Sequence, residues 1–375
     1  MRTAIVPIAL ALLLAACAGT PARAPSGLPD AAALLAGTPL GAHIEPAPAV
    51  ALLAVDQPMR EFVTAHVDRR ASASQRLRQL LQAIVSDASF GLVYTNATHD
   101  AAGTFALRNG NCLSFTALFV ALAREAKLEA RFQEVDIPPD WERRGEFHVL
   151  NRHVNALVDL GGGVQKAVDF DVGEFRASYE RRAIDDRRAL AHFHSNRAVE
   201  RLAAGALVEA FAELRGGSTA DPDFAPLWVN LGALSQRAGA PPWAEASWLE
   251  ALRRDSADTV AMSNLARLYE ARGDAERATH YQRLVQTHRE GNPYFRYQRA
   301  RAAFFDGRAR EALPDLDFAI RRRPVEDSFF LLRAMVHLRL GDAERARADL
   351  ERAAEVAADE TARRNYSAKM EQLFP

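Results

Sequence analysis

The sequence predicts an α+β domain followed by an all-α helical-repeat solenoid. The second half repeats small residues every 34 positions. The first half places a cysteine at the start of an apolar helix, ahead of two alternating segments joined by Gly161-Gly162-Gly163. With 375 residues and 49% hydrophobic content, the chain is long enough to bury two cores.

Met1-Arg2 precedes an apolar run from Ala4 to Leu14 and then Ala15-Ala16-Cys17. A charged start, a short apolar core and small residues describe a secretory signal, and the run is too short to span as a stable helix. The ending Leu14-Ala15-Ala16-Cys17 resembles the lipobox of bacterial lipoproteins, whose cysteine is lipidated and becomes the first residue. Ala18, where Asp could stand, resembles their outer-membrane sorting pattern. The resemblance implies a lipid anchor at Cys17 and a place in the cell envelope, on the outer membrane facing the periplasm. Residues 1–17 are thus expected to be a lipoprotein signal peptide; the alternative is an ordinary signal peptide with a chance cysteine. Residues 18–48 are dense in Ala, Pro and Gly and read as a tether, reaching roughly 30 Å on average. No later segment is long and apolar enough to cross a bilayer. A net charge of −1 gives no reason to expect a nucleic-acid partner, and clusters such as Arg321-Arg322-Arg323 read as solvated helix ends.

Residues 189–375 carry the repeat. Gly205, Gly239, Gly273, Gly307 and Gly341 recur without a slip. Alanine follows each by five (Ala210, Ala244, Ala278, Ala312, Ala346), and a small residue precedes each by seven (Ala198, Gly232, Ala266, Ala300, Ala334). A weaker column is Gly217, Ala251, Ala319 and Ala353, broken by Val285. Small residues let paired helices approach, and glycine ends a helix where a Cβ would be strained. Pro222 and Pro324 fall between units, and Asn292-Pro293 does the same slightly out of phase. The pattern resembles the tetratricopeptide repeat, and five units with a polar capping helix near 359–373 are expected. The resemblance implies a groove for a peptide or protein partner.

Residues 49–188 form the other domain. Helical patterns cover 59–69 and 75–88, a polar stretch follows, and a helix starts at Cys112. The turn Arg108-Asn109-Gly110-Asn111 puts this thiol at the helix N-terminus, where unpaired N–H groups and the dipole favour thiolate. Apart from Cys17 it is the only cysteine, so in an exported chain it lacks a disulfide partner. A strand is expected over 130–135, a loop around Pro138-Pro139-Asp140-Trp141, and two strands over 153–160 and 164–171. If the three glycines form the hairpin loop, Leu160 faces Val164, Asn155 faces Asp169 and His153 faces Asp171. His153 and Asn155 then share a face, and both aspartates lie within reach of the imidazole.

This stretch resembles the bacterial transglutaminase-like superfamily, related to papain-like thiol enzymes. The resemblance rests on Gly110-Asn111-Cys112 before an apolar helix, on His153 opening a strand, and on Val168-Asp169 in the next strand. It implies Cys112 as nucleophile, His153 as its base and Asp169 as the group that orients the imidazole. Cross-strand arithmetic leaves Asp171 as a rival orienter. Asn155 and Phe170 stand where many members carry an aromatic residue and a proline. His148, five residues before His153, turns to the other face if one strand covers both. His192-Phe193-His194 reads as an exposed helix start at the domain junction, and no paired ligands at short spacing indicate a metal. No cofactor is expected.

The implied function is acyl transfer on amide or peptide substrates in the envelope, by hydrolysis or by transfer to an amine. The alternative is an inactive thiol-enzyme scaffold whose repeats recruit other proteins.

Overall fold

A computed structural model describes residues 27–37, 39–41, 43–85, 90–136, 141–144, 147–150, 153–170, 179–357 and 360–374. The expected signal segment, residues 1–17 with Cys17, and the rival orienter Asp171 lie outside these.

The chain opens with α1 (Ala31–Ala36), α2 (Gln57–His66) and α3 (Ala73–Val85). Then come β1 (Val93–Tyr94), α4 (Ala101–Leu107), β2 (Asn109–Gly110) and α5 (Cys112–Glu125). Helix α5 is buried from Leu113 to Ala123 without an exposed stripe, as befits a helix that is apolar all round. Around it pack α2, α3 and α4, and also β3 (Glu129–Asp136) and β6 (His153–Asp159). Between those strands in sequence comes a separate antiparallel pair, β4 (Trp141–Arg144) and β5 (Phe147–Leu150). Residue 141, expected in a loop, therefore begins a hairpin. After β6 come β7 (Gln165–Val168) and β8 (Glu180–Ile184), giving an antiparallel sheet in the order β7-β6-β3-β8. Neither α4 nor β8 was expected from the sequence.

Eleven helices complete the described chain: α6 (Asp186–Ala203), α7 (Leu207–Ala220), α8 (Ala225–Arg237), α9 (Pro241–Arg254), α10 (Thr259–Ala271), α11 (Ala275–Gly291), α12 (Pro293–Phe305), α13 (Ala309–Arg322), α14 (Asp327–Arg339), α15 (Ala343–Val356) and α16 (Glu360–Leu373). They pair as α6/α7, α8/α9, α10/α11, α12/α13 and α14/α15, with α16 against α15. Each repeat glycine follows the first helix of its pair in the left-handed region, with φ between 71° and 83°. The alanines at positions 210, 244, 278, 312 and 346 are all buried between helices. Gly232 shows the constraint most directly, because a Cβ there would stand 2.3 Å from Trp248 Nε1.

Helix α6 belongs to both domains, so the boundary expected at 188/189 falls inside it. Ala189 and Phe193 join the core around α5, whereas Ala191, Ala198 and Leu202 join that of the repeats. His192 and His194 are buried on this helix, contrary to the expected exposed helix start. His192 Nε2 lies 2.8 Å from Glu134 Oε1 on β3, and His194 Nδ1 lies 2.7 Å from Glu213 Oε2 on α7. Burial would raise the Glu134 carboxyl, but His192 and Arg182 outweigh it and hold it at about 2.

Later repeats meet the first domain again. Arg323, the last of the arginine cluster, pairs with Glu180 at 3.1 Å, and Tyr179 stands edge-on to Tyr294 of α12 at 5.8 Å.

Residues 27–48 depart from the expected tether. Leu34 of α1 is fully buried and Ile44 nearly so, both in the core of the first repeats. Arg215 donates to the Ile44 carbonyl, and the Ala47 N–H donates to the Ala212 carbonyl at 2.8 Å. Composition suggested a free chain, yet a few apolar side chains suffice to lay this segment across α7 and α9.

Gly232→Ala tests the helix packing. Better helix propensity would gain about 1 kcal/mol, but overpacking costs about 1–3 kcal/mol. The indole is held by a 3.2 Å bond to the Val229 carbonyl and cannot retreat freely. Urea titration should therefore show a net loss of stability; unchanged or higher stability would contradict the close approach.

Candidate active site

The thiol is placed by the residues just before it. Arg108 ends α4 in the left-handed conformation (φ 60°), and β2 then pairs in parallel with β1, Tyr94 opposite Gly110. Gly110 is required: a Cβ there would lie 2.5 Å from Ser114 Cβ. Asn111 caps α5, its side chain accepting from the Ser114 N–H at 3.0 Å. Cys112 follows as the first helical residue, half-buried and free. Thr116 Oγ1 lies 2.8 Å from the Cys112 carbonyl and 3.1 Å from the Val154 carbonyl, joining the first turn to β6.

On β6, His153 is 6% exposed. The hairpin register pairs Ala156 with Val168 and Asp159 with Gln165, the alignment expected from the glycine triplet. This brings Asp169, just past β7, beside both His153 and Asn155. His153 Nε2 donates to Asp169 Oδ2 at 2.7 Å, and Asn155 Nδ2 donates to the same oxygen at 2.9 Å. Cys112 lies close enough to the imidazole to act on its charge. Burial works against a charged ring. The bond to Asp169, the neighbouring Cys112 and the Asp169 charge outweigh it, raising His153 from 6.5 to about 10.

Cys112, His153 and Asp169 are thus brought together from three elements. His148 lies on β5, a strand separate from β6. Sequence reading treated Asn155 as a departure from a family pattern; here it is fully buried and holds the Asp169 carboxylate. Its position opposite Asp169 in the hairpin was the signal for that contact. Among the described residues, no cluster of His, Cys, Asp and Glu is arranged to hold a metal ion. No described helix is long and apolar enough to cross a membrane.

An aromatic row flanks the site. Tyr94 stands edge-on to Phe115 at 6.1 Å, and Phe115 to Phe170 at 6.0 Å. Phe170, where a proline was the family expectation, therefore packs beside the helix that carries Cys112.

Residues 60–163 match the family model of the transglutaminase-like superfamily. The matched segment includes Cys112 and His153 and ends before Asp169. No curated protein matches the chain. Among solved structures, a tetratricopeptide protein, YrrB, described as having an unusual peptide-binding site, is 16% identical. The match covers 49% of this chain and 92% of that one, with a TM-score of 0.25. PilF of Pseudomonas aeruginosa is 15% identical over 50% of this chain and 94% of its own, with a TM-score of 0.27. A tetratricopeptide repeat protein from Parabacteroides merdae is 18% identical over 47% and 69%, with a TM-score of 0.25. The chain therefore carries a transglutaminase-like domain, followed by a tetratricopeptide-like helical solenoid.

Proposed function

We propose that this protein is a thiol acyl-transfer enzyme of the cell envelope, acting on amide or peptide substrates with Cys112, His153 and Asp169. The observation that carries the reading is one buried imidazole hydrogen-bonded to the Asp169 carboxylate and acted on by the neighbouring helix-start Cys112. With Nε2 given to Asp169, Nδ1 is the ring nitrogen left to exchange a proton with Cys112.

The sulfur attacks the substrate carbonyl carbon, and the carbonyl electrons move onto oxygen. The Cys112 N–H occupies the first helical position, which has no intrahelical acceptor, and supports that oxyanion. His153 gives its proton to the departing amine as the C–N bond breaks, leaving a thioester on Cys112. Water or a second amine then attacks the thioester, losing a proton to His153, and the C–S bond breaks to restore the pair. Asp169 fixes the ring and stabilises its positive charge. Asn155 fixes Asp169.

The same reading places the chain on the outer membrane through a lipid on Cys17, with peptides or the peptide stems of the cell wall as substrates. The repeats supply the surface for a peptide or protein partner.

Assays on glutamine-containing peptides, with and without an added amine, test the site. Cys112→Ala should abolish turnover, and His153→Ala should lower it by about 10²–10⁴-fold. Asp169→Asn should cost less than either. Wild-type turnover that survives Cys112→Ala would overturn the assignment; absence of any wild-type turnover would leave the scaffold reading in its place. For the anchor, Cys17→Ser should move the protein from the membrane fraction to the soluble one. Retention after a high-salt wash would contradict it.

A further inference from the structure

We propose that Glu200, on the first helix of the repeat array, is a positioning residue for the thiol site, acting on the cap of the cysteine helix through Thr98 and Asn111. The inference rests on the reading of Cys112 as nucleophile and adds that the repeats complete the site it works in.

The connection is continuous. Glu200 Oε1 accepts from the Thr98 backbone N–H at 2.8 Å, across 102 residues of sequence. Thr98 is 1% exposed, so this N–H needs a protein acceptor. Thr98 Oγ1 accepts from Asn111 Nδ2 at 2.8 Å, and the neighbouring Ala97 carbonyl accepts from the Asn111 N–H at 3.1 Å. Asn111 then has its other side-chain atom, Oδ1, turned to the Ser114 N–H as the helix cap. The amide could not cap in the reverse sense, because its NH₂ would face another donor. The Ser114 N–H sets which end of the Asn111 amide meets the helix, Thr98 anchors the other end, and Glu200 holds Thr98 in place. Cys112 is the next residue.

Another contact of α6 with the first domain, to α5, offers a control. Asp186 pairs with Arg124 near the far end of α5, at 2.6 and 2.9 Å. Both side chains are substantially exposed, so the pair contributes little. Loosening it disturbs the junction without touching the cap.

The test is iodoacetamide alkylation of the full chain, read at the Cys112 peptide from about pH 6 to about pH 9. Wild type should retain much of its alkylation rate at the acid end, and this retention should be lost in His153→Ala. Glu200→Ala and Thr98→Ala should each lower the rate at about pH 6, relative to that at about pH 9, by about fivefold. Glu200→Gln and Thr98→Ser keep the acceptor oxygens and should stay within about twofold of wild type. Asp186→Asn should leave the profile unchanged. An unaltered profile in Glu200→Ala, or an equal shift in Asp186→Asn, would overturn the proposal. If Glu200→Ala does not fold, the Thr98→Ala and Thr98→Ser pair decides in the same way. A wild-type profile that already matches a free cysteine and ignores His153 would overturn both this inference and the nucleophile reading. A shifted wild-type profile that Glu200→Ala leaves untouched would remove this inference alone.

Discussion

A protonated imidazole sits inside this fold because a carboxylate is buried against it. His153 and Asp169 have side chains only 6% exposed, and removing one partner from such a pair typically costs about 3–5 kcal/mol. The pair is tolerable because its hydrogen bonds are made: Asp169 Oδ2 receives both His153 and Asn155, and the ring also meets Cys112. Much of the first domain serves that arrangement. The β6–β7 register must hold, since a slip of one residue would turn Asp169 to the other face. The first turn of α5 must stay against β6, which the Thr116 hydroxyl secures. Chemistry follows from the same constraint, because it keeps a protonated imidazole beside Cys112.

The repeats are not an appended module. Helix α6 gives side chains to both cores, pairs His192 with Glu134 of the sheet, and accepts the Thr98 N–H through Glu200. The array then returns to the first domain at Tyr179 and Glu180. The surface proposed for a partner is thus joined to the helix whose Glu200 meets Thr98.

The repeats were legible because a superhelix imposes one steric demand at a fixed interval. Gly205 and its four equivalents all need positive φ, and Ala210 and its equivalents are all pressed between helices. The hairpin register was legible because Gly161-Gly162-Gly163 leaves one loop from which to count. The His192 and His194 environments were not, because their partners lie 58 and 19 residues away in sequence, and local pattern says nothing of such distances. Glu200 was hidden for the same reason. The segment containing α1 misled through its composition: Leu34 and Ile44 anchor it, although Ala, Pro and Gly dominate it.

The most direct measurement of this account is the titration of the His153 ring by NMR in the full chain. Burial alone would lower its pKa, whereas the contacts to Asp169 and Cys112 raise it, so the sign of the shift decides between them. Because the folded-state value lies above the unfolded one, the stability this ring contributes is present below about 6.5 and lost as pH rises through about 10. The ring should still be protonated at neutral pH and titrate toward about 10, with a clear drop in Asp169→Asn. A ring that titrates at or below the ordinary 6.5 in wild type would contradict the ion-paired site.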